Sequence, residues 1–529
     1  MATLGIIGSG ILLAAALSVI IKILLLFFEK KPGRLPPGPK GLPFLGNILD
    51  LPTGGEKECE HWLKHKDTYG PISSITTLGQ TIVLLHSPRL AVELFEKRSS
   101  NYSPRASFVF ADMVGWTETL PLTPYNDTFR ARRKLMHMLM GTKTTIAPYL
   151  ALQDVEVHRF LFRVLQEPES LLNHIKTEAA AIILKIVYGY TVEPHKVDPL
   201  VELVDIAMEQ FSEATVPGAW LVDVIPALKY VPEWMPGGRW KRTAREWRSV
   251  LREVSEKPLQ FARQRIASGN RGRSFVMDFH NDNGDNVNRF ENDNLKWAAF
   301  TMYAGGSDTT VNTVYSFFLA MTLFPNVQRR AQEEIDRVVG TSRLPAFDDR
   351  ASLPYVEAVL TEAWRWHTVA PMGVAHATTA EDLVEGYRIP KGAIVLPNTW
   401  WFTHDPAVYP DPMVFDPARY LGPNPAPDPA NHIFGYGRRI CPGRHIADSS
   451  VWLTIVRSLA VFDISKGLDE NGCEIEPTVR STPGSISRPE EFKAAIKPRS
   501  RQHEALIRQV EELHPWEESG ATELQKIVV

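Results

Sequence analysis

One short stretch, FGYGRRICPG at residues 434–443, constrains this chain most, because it holds one of only three cysteines among 529 residues. Its glycines, Gly435, Gly437 and Gly443, permit a tight loop that turns backbone N–H groups toward the Cys441 sulfur. Such donors favour the thiolate, the form of cysteine that binds metals. Arg439 is placed to meet a carboxylate on a bound cofactor. The pattern predicts a metal-binding thiolate, with a plain tight turn as the alternative.

Composition favours one large catalytic unit. The chain has 44% apolar and 22% charged residues, ordinary values for a globular protein, and no Ser/Gly-rich linker divides it. The net charge of −3 gives no sign of a nucleic-acid partner. Three widely spaced cysteines, Cys59, Cys441 and Cys473, argue against a disulfide framework or a zinc site and favour a reducing compartment.

An apolar segment opens the chain. Residues 4–28 are apolar except for two serines and Lys22, and a helix of that length crosses a hydrocarbon core of about 30 Å. Positive charges follow the segment at Lys30, Lys31 and Arg34, so the positive-inside rule puts the rest of the chain in the cytosol. We therefore predict a single-pass signal-anchor over residues 1–29.

The remaining chain predicts a mainly helical fold with small β-sheets, an α+β class. A proline-rich hinge covers residues 30–50, the catalytic domain 51–500 and a C-terminal tail 501–529. TIVLLH (81–86) and AIVLP (393–397) are typical of strands. The polar residues 270–294 predict a surface loop. Residues 211–240, rich in Pro and Trp, are interpreted either as a loop pair at a membrane interface or as core.

A second chemical motif is YAGGSDTTVNTV at residues 303–314, inside an apolar helical run. Two glycines inside a helix cost about 1 kcal/mol each, so we expect these two to have a packing or functional role. Gly305 and Gly306 would let a flat ligand approach the backbone. Asp308 and Thr309 follow, and a hydroxyl there can bond a carbonyl, open the helix and admit water for proton delivery. A kinked helix with a solvated Asp308 is the alternative.

A third motif, EAWR, places Glu362 and Arg365 on one helical face. Arg419 lies downstream in a proline-stiffened turn region. We predict that both arginines hold Glu362 in a buried triad that specifies one tertiary arrangement. The alternative is a surface ion pair that contributes less than about 1 kcal/mol.

The pattern F-x-x-G-x-R-x-C-x-G, met at Phe434, Gly437, Arg439, Cys441 and Gly443, resembles the signature of the cytochrome P-450 superfamily, the haem-thiolate monooxygenases. The order of the other motifs also matches, over roughly residues 30–498. The chain looks like fungal membrane-bound members that act in secondary metabolism or detoxification. The resemblance implies the P-450 fold, with a single large haem domain behind an N-terminal transmembrane helix, and haem b as cofactor.

The resemblance also implies roles for individual residues. Cys441 would be the axial iron ligand, with Phe434 shielding its sulfur, and Asp308 and Thr309 would deliver protons to dioxygen. The remaining implied residues are Glu362, Arg365 and Arg419, which would lock the core, and Arg439, Arg133 and His376, which would meet the haem propionates. Two positions depart from the family: Phe129 replaces a common Trp and cannot donate a hydrogen bond, and Ala377 follows His376 where many members have Arg.

The sequence has no motif for binding a nicotinamide or flavin cofactor, which predicts a separate electron donor. No strand-linked GxGxxG occurs, so electrons are expected from a separate NADPH-dependent flavoprotein reductase in the same endoplasmic reticulum membrane. RARRK at residues 130–134, with Arg438 and Arg444, predicts a basic docking face. Two other functions remain: a haem-thiolate isomerase or dehydratase that needs no reductase, and a non-enzymatic haem binder. The Asp308–Thr309 pair argues against both.

The substrate pocket is expected to be apolar, which suits a lipophilic small molecule. Its candidate residues are Phe108, Phe110, Met113, Tyr303, Ala304, the segment from Val369 to Val374, and Ile486.

Overall fold

The computed structural model describes residues 33–52, 55–235, 237–269, 272–284 and 287–529. The predicted anchor over residues 1–29 lies outside these ranges. Within them, no helix is both long and apolar enough to cross a membrane.

Helices dominate the described chain. Those of nine residues or more are α1 (Glu58–Tyr69), α2 (Asp127–Met140), α3 (Leu150–Gln166), α4 (Leu171–Tyr188), α5 (Pro199–Ala214), α6 (Trp240–Ala267), α7 (Phe275–Asn283), α8 (Arg289–Leu323), α9 (Pro325–Val338), α10 (Pro354–Trp366) and α11 (Arg444–Val461). Shorter helices are Pro88–Val92, Ser99–Tyr102, Val109–Val114, Lys143–Ile146, Leu221–Val224, Thr399–His404, Ala430–Ile433, Arg501–Arg508, Val510–Leu513 and Ala521–Leu524.

The strands form small sheets. They are β1 (Ile72–Thr77), β2 (Gln80–Leu85), β3 (His376–Ala377), β4 (Asp382–Val384), β5 (Tyr387–Ile389), β6 (Ile394–Pro397), β7 (Phe462–Lys466) and β8 (Ala494–Pro498). One sheet has the order β1-β2-β6-β3, and β4-β5 and β7-β8 are separate pairs. Among the strands of the described residues, only β2 and β6 pair in parallel, with Ile82 opposite Ile394. The predicted strands at 81–86 and 393–397 are therefore confirmed, as is a mainly helical fold with small sheets.

Helix α8 organises the core. It begins with a capping box, in which Asn288 and Glu291 each bond the other's backbone N–H, and it ends before Pro325, which cannot continue it. Its buried apolar residues between 295 and 304 belong to one cluster, and those between 311 and 321 belong to another. The Gly-Gly-Ser-Asp-Thr-Thr segment at 305–310 lies between these clusters. The fold therefore leaves the polar motif at the junction of two cores.

Two sequence interpretations are corrected. Residues 270–294 are not one surface loop, because α7 buries Phe275, Val276 and Met277 and α8 begins at Arg289. The segment 211–240 divides: Phe211 lies in the last turn of α5 and packs on Trp116, whereas Trp234 is 83% exposed. A three-residue apolar run inside a polar stretch gives too weak a periodic signal to predict a helix.

Both ends of the described chain pack on the domain. The backbone N–H of Ser74 in β1 donates to Pro37 O at 2.9 Å, and its hydroxyl donates to Pro36 O at 2.7 Å. At the other end, Trp516 lies against the Arg159 guanidinium of α3, and Glu523 pairs with Arg265 of α6 at 3.0 Å.

Candidate functional site

The Cys441 loop is a tight turn closed on itself. The N–H of Cys441 donates to Phe434 O at 2.7 Å. Gly437 has a φ of +49°, and a Cβ there would lie 2.6 Å from Phe95 O, so only glycine fits. Gly443 has a φ of −84°, which any residue adopts. The sequence interpretation that Gly443 serves the turn through its conformational freedom is therefore wrong.

Backbone donors do reach the Cys441 sulfur, as predicted. Burial raises the pKa of the Cys441 thiol, while hydrogen bonds from the N–H groups of Gly443 and Arg444 and the charges of Arg133 and Arg444 oppose that rise. The start of α11 at Arg444 supplies these N–H groups, since the first amides of a helix lack intrahelical partners. These donors and charges favour the thiolate form, but burial outweighs them, so the pKa of the Cys441 thiol stays raised.

Arg439 is buried beside the loop. Its Nε donates to Ser103 O at 2.7 Å and its Nη2 to Thr123 O at 2.9 Å. Its guanidinium carbon lies 3.9 Å from the centroid of the Phe129 ring. Burial lowers the pKa of Arg439 to about 10. Phe129, which takes the place of the common Trp, therefore stacks on this cation instead of donating a hydrogen bond.

Two more arginines and His376 surround this position. Arg133 Nη1 donates to Ile440 O at 2.5 Å, and Arg105 Nη1 donates to Val374 O at 2.6 Å. His376 Nδ1 bonds Tyr102 O at 2.6 Å, and burial holds its pKa well below the usual range. A neutral His376 that donates through Nδ1 keeps only a lone pair on Nε2, so it is no donor to a carboxylate.

These arginines lack counter-charges among the residues that the structure describes. Among the ion pairs of the described residues, none involves Arg105, Arg133 or Arg439, although burial lowers the pKa of all three. Uncompensated cations around a thiolate fit haem, which brings two propionate carboxylates. Arg105 was not predicted, because nothing in its local sequence distinguishes it from a surface arginine.

Gly305 and Gly306 of α8 face different surroundings. A Cβ on Gly305 would meet no atom within 4 Å, so this face borders open space, whereas a Cβ on Gly306 would lie 3.0 Å from Ile183 of α4. Thr309 Oγ1 donates to Gly305 O at 2.8 Å, as predicted. Helix α8 nevertheless continues unbroken from Arg289 to Leu323. Gly305 alone therefore admits a ligand, and Gly306 allows close helix packing.

Asp308 lines a small cavity of mixed polar and apolar character. The residues lining it include Lys176, Asp205 and Ser307, and Lys176 Nζ lies 2.6 Å from an Asp205 carboxylate oxygen. Burial raises the pKa of Asp308 to about 6. Its carboxyl therefore exchanges protons near neutral pH, a property suited to proton transfer.

The predicted triad forms as a fully buried network. Arg365 Nε lies 2.7 Å from Glu362 Oε2, with both side chains 0% exposed, and Arg419 Nε lies 3.1 Å from Glu362 Oε1. The N–H of Asp416 adds a bond of 2.9 Å to the same oxygen. Arg365 also donates to Thr403 O at 3.0 Å. Each charge has its partner, which excludes the surface-pair alternative.

Two predicted pocket residues belong to the packing of helices. Tyr303 is fully buried and donates from its hydroxyl to Leu200 O at 2.5 Å, away from the Gly305 face. Phe110 stacks on Trp220 with ring centroids 3.5 Å apart. Both are corrections to the predicted pocket, because an apolar side chain gives no sign of the helix it will face.

The remaining pocket candidates keep apolar surroundings. Phe108 and Ala304 are buried, whereas Met113, Val369, Val374 and Ile486 are half-buried. The N–H of Ser487 donates to Val369 O at 2.8 Å, and the backbone N–H of Ile486 donates to Ser212 Oγ at 3.0 Å. These bonds join the Val369 segment and α5 through the chain around Ile486.

Comparison with known proteins agrees with this geometry. A family model described as Cytochrome P-450 matches residues 36–492. The cytochrome P-450 monooxygenase CLM2 of Gibberella zeae is 46% identical over 95% of this chain and 96% of its own length. The multifunctional cytochrome P-450 monooxygenase af510 of Aspergillus fumigatus is 45% identical over 94% of each chain.

A further relative is the O-methylsterigmatocystin oxidoreductase of Aspergillus flavus, 38% identical over 93% of each chain. Similarity of this extent covers the cysteine loop, α8 and the triad alike. The chain therefore belongs to the cytochrome P-450 family and is a monooxygenase with haem iron bound by a cysteine thiolate.

Proposed function

We propose that this monooxygenase inserts one oxygen atom of O2 into a lipophilic small molecule of secondary metabolism, with electrons passed from NADPH by a separate flavoprotein reductase. The observation that carries the proposal is the Cys441 loop, where backbone donors meet the sulfur beside three arginines that have no ion pair in the described part of the chain. One relative is named for the oxidation of a single organic compound and another is named multifunctional. This supports the reaction class while leaving the compound open.

The haem cofactor supplies activation of dioxygen, and the chain's own groups prepare the site for it. Cys441 would bind the haem iron, and its N–H donates to Phe434 O. Arg105, Arg133 and Arg439 would hold the propionates, and His376, fixed by its bond to Tyr102 O, would support them only through packing. Glu362, Arg365 and Arg419 keep the surrounding elements in register.

Proton transfer belongs to α8. Asp308 takes up protons from the cavity that Lys176 and Asp205 line, since burial raises its pKa to about 6. Thr309, bonded to Gly305 O, presents its hydroxyl at the open face of the helix. We assign to Thr309 the positioning of the proton near Gly305.

We assign the substrate to the space bordered by Gly305, and the apolar pocket candidates determine its chemistry. Phe108, Met113, Ala304, Val374 and Ile486 offer no charge. A pocket of this kind binds by burial of apolar area and disfavours charged substrates.

Electron transfer uses a basic face. Arg130 and Arg438 are exposed and approach the same Tyr125 ring, at 5.3 and 5.4 Å from its centroid. Lys134 is exposed on the same helix as Arg130. Cations close to the Cys441 loop steer an acidic reductase toward the haem.

Association with the endoplasmic reticulum membrane completes the proposal, with the domain on the cytosolic side. The apolar segment 4–28 is its main support. In the described chain, Phe44 is 63% exposed, Leu49 81% and Trp234 83%. Exposed apolar side chains of this size favour the membrane interface.

The test is the carbon monoxide difference spectrum of the dithionite-reduced, membrane-expressed protein. We expect a strongly red-shifted Soret band that Cys441→Ser abolishes and that the matched control Cys473→Ser, at an exposed site, retains. A band at the position typical of histidine ligation in wild type would contradict the assignment of Cys441. Substrate binding is then read from the spectral shift with lipophilic compounds, and turnover from reconstitution with reductase and NADPH.

A further inference from the structure

A second cluster of cations lies where α3 and α4 meet the C-terminal tail. Arg159, Arg163 and Lys185 line a small cavity there, together with Glu156 and Glu517. The cavity has a volume of about 20 Å³, somewhat more than a single water molecule needs. The haem site uses none of these residues, so their charges require a separate explanation.

Two of the three cations each have a carboxylate as partner. Arg159 Nη1 lies 2.6 Å from Glu156 Oε1, and Lys185 Nζ lies 2.5 Å from Glu517 Oε2. Three cations and two carboxylates therefore leave one positive charge in excess among the residues that line the cavity.

Arg163 is the cation without a close partner. Its side chain is 8% exposed, and its Nε and Nη1 have no hydrogen-bond partner among the described residues. Its Nη2 lies 3.9 Å from Glu156 Oε2, too far for a hydrogen bond. Glu178 does not compensate this charge near neutral pH, because burial raises the pKa of its carboxyl to about 8. A buried guanidinium in this state is costly unless an anion reaches it.

The C-terminal tail forms one wall of the cavity through Trp516 and Glu517. The guanidinium groups of Arg159 and Arg163 lie 5.0 and 5.5 Å from the centroid of the Trp516 ring. Arg159 Nη2 also donates to Pro515 O at 3.0 Å. The cavity is therefore complete only while the tail is packed on α3 and α4.

We propose that one small monovalent anion, chloride in its simplest form, binds in this cavity at Arg163 and holds the C-terminal tail on α3 and α4. A single negative charge neutralises the cluster, which a water molecule cannot do. The free N–H groups of Arg163 supply the hydrogen bonds that a desolvated anion needs. The cavity admits a monoatomic anion and is too small for a phosphate group.

The experiment uses the haem-loaded full chain, so that the arginines around the cysteine loop do not offer a second anion site. Potassium chloride is compared with potassium gluconate, whose anion is too large for the cavity, at equal ionic strength and therefore equal screening. Hydrogen exchange of peptides from residues 514–520 reports opening of the tail. We expect exchange to slow as chloride rises, by about elevenfold at ten times the dissociation constant. Crystals soaked in bromide should show an anomalous peak beside Arg163.

Two variants separate anion binding from packing of the tail. Arg163→Met should abolish the dependence on chloride. The matched control Arg265→Met removes the ion pair of the tail with Glu523, so exchange should become faster in both salts while the dependence on chloride stays. The inference is overturned by equal exchange of wild type in both salts, by a chloride dependence that Arg163→Met retains, or by bromide crystals whose cavity holds only water. The bromide crystals test the wild type without any substitution.

Discussion

Two groups of buried arginines lie in this protein and differ in the source of their counter-charge. Arg365 and Arg419 share Glu362 within the chain, at 2.7 and 3.1 Å. Arg105, Arg133 and Arg439 lie around the cysteine loop without a carboxylate among the described residues. The first group is complete when the chain folds, whereas the second becomes complete only with a cofactor that carries carboxylates.

The difference has an energetic consequence. Removing one partner of a buried pair leaves an uncompensated charge and costs about 3–5 kcal/mol. Arginines that already lack an internal partner have no such pair to break. The two groups should therefore respond oppositely: mutation of the first changes folding, and mutation of the second changes retention of haem.

The largest effect is expected at Glu362. Glu362→Ala leaves Arg365 buried without a carboxylate, and we expect the free energy of unfolding to fall by about 3–5 kcal/mol. Since a domain has about 5–15 kcal/mol in total, little folded protein should accumulate. Chemical denaturation or yield of folded protein measures this. Glu333→Ala, which removes an exposed ion pair of 3.9 Å with Arg329, should cost less than about 1 kcal/mol. Equal losses of unfolding free energy in the two variants would contradict the difference between the buried triad and an exposed ion pair.

An intermediate effect is expected at Arg133, which donates to Ile440 O and has no ion pair among the described residues. Arg133→Met removes the bond to Ile440 O but also a buried charge without a counter-charge, so the two effects offset and unfolding of the haem-free chain should change by less than about 1.5 kcal/mol. Loss of a charged hydrogen bond to a propionate should weaken haem retention by about 1.5–3 kcal/mol, roughly tenfold to a hundredfold. The rate of haem transfer to an excess of an apo-haemoprotein measures this. A variant whose haem-free chain is much less stable than wild type but whose haem retention is unchanged would place Arg133 with the first group.

The smallest effect concerns Asp308, a carboxyl whose raised pKa of about 6 comes from burial. The folded state binds this proton more tightly than the unfolded state, so its stabilising contribution is full below about pH 4 and is lost as pH rises through 6. Asp308→Asn should therefore be more stable than wild type at pH 8, on the order of 1–2 kcal/mol, and about equal at pH 4.

Denaturant unfolding at the two pH values measures this difference. Asp205→Asn is the control, because Lys176 compensates that carboxylate at 2.6 Å; it should show no gain at pH 8. A pH-independent difference between Asp308→Asn and wild type would contradict the raised pKa.

Sequence reasoning succeeded where chemistry is local. The Cys441 loop, the Thr309 bond to Gly305 O and the pairing of Glu362 with Arg365 all join residues within seven positions. Turn geometry and helix spacing determine such contacts, so they can be predicted from the sequence. The sequence predicts that both glycines admit a ligand, and this is wrong for Gly306, because its neighbour is Ile183 on another helix.

Two side chains with distant partners were not understood from the sequence, although the distant Arg419 is predicted correctly as a partner of Glu362. Arg105 is identified by its bond to Val374 O, 269 positions away. Tyr303 was assigned to the pocket because it is aromatic and near the glycines, yet its hydroxyl bonds Leu200 O on another element. Which face of a helix meets which neighbour is set by packing of the whole core.

The sequence alone therefore determined the chemical inventory: a thiolate in a tight loop, an acid and a hydroxyl after helical glycines, and a carboxylate spaced for arginine. Only the tertiary structure decided which buried charges are neutralised within the chain and which await a cofactor. The reason is physical: the cost of a buried charge depends on what lies within a few ångströms of it, and residues far apart in the chain supply those neighbours.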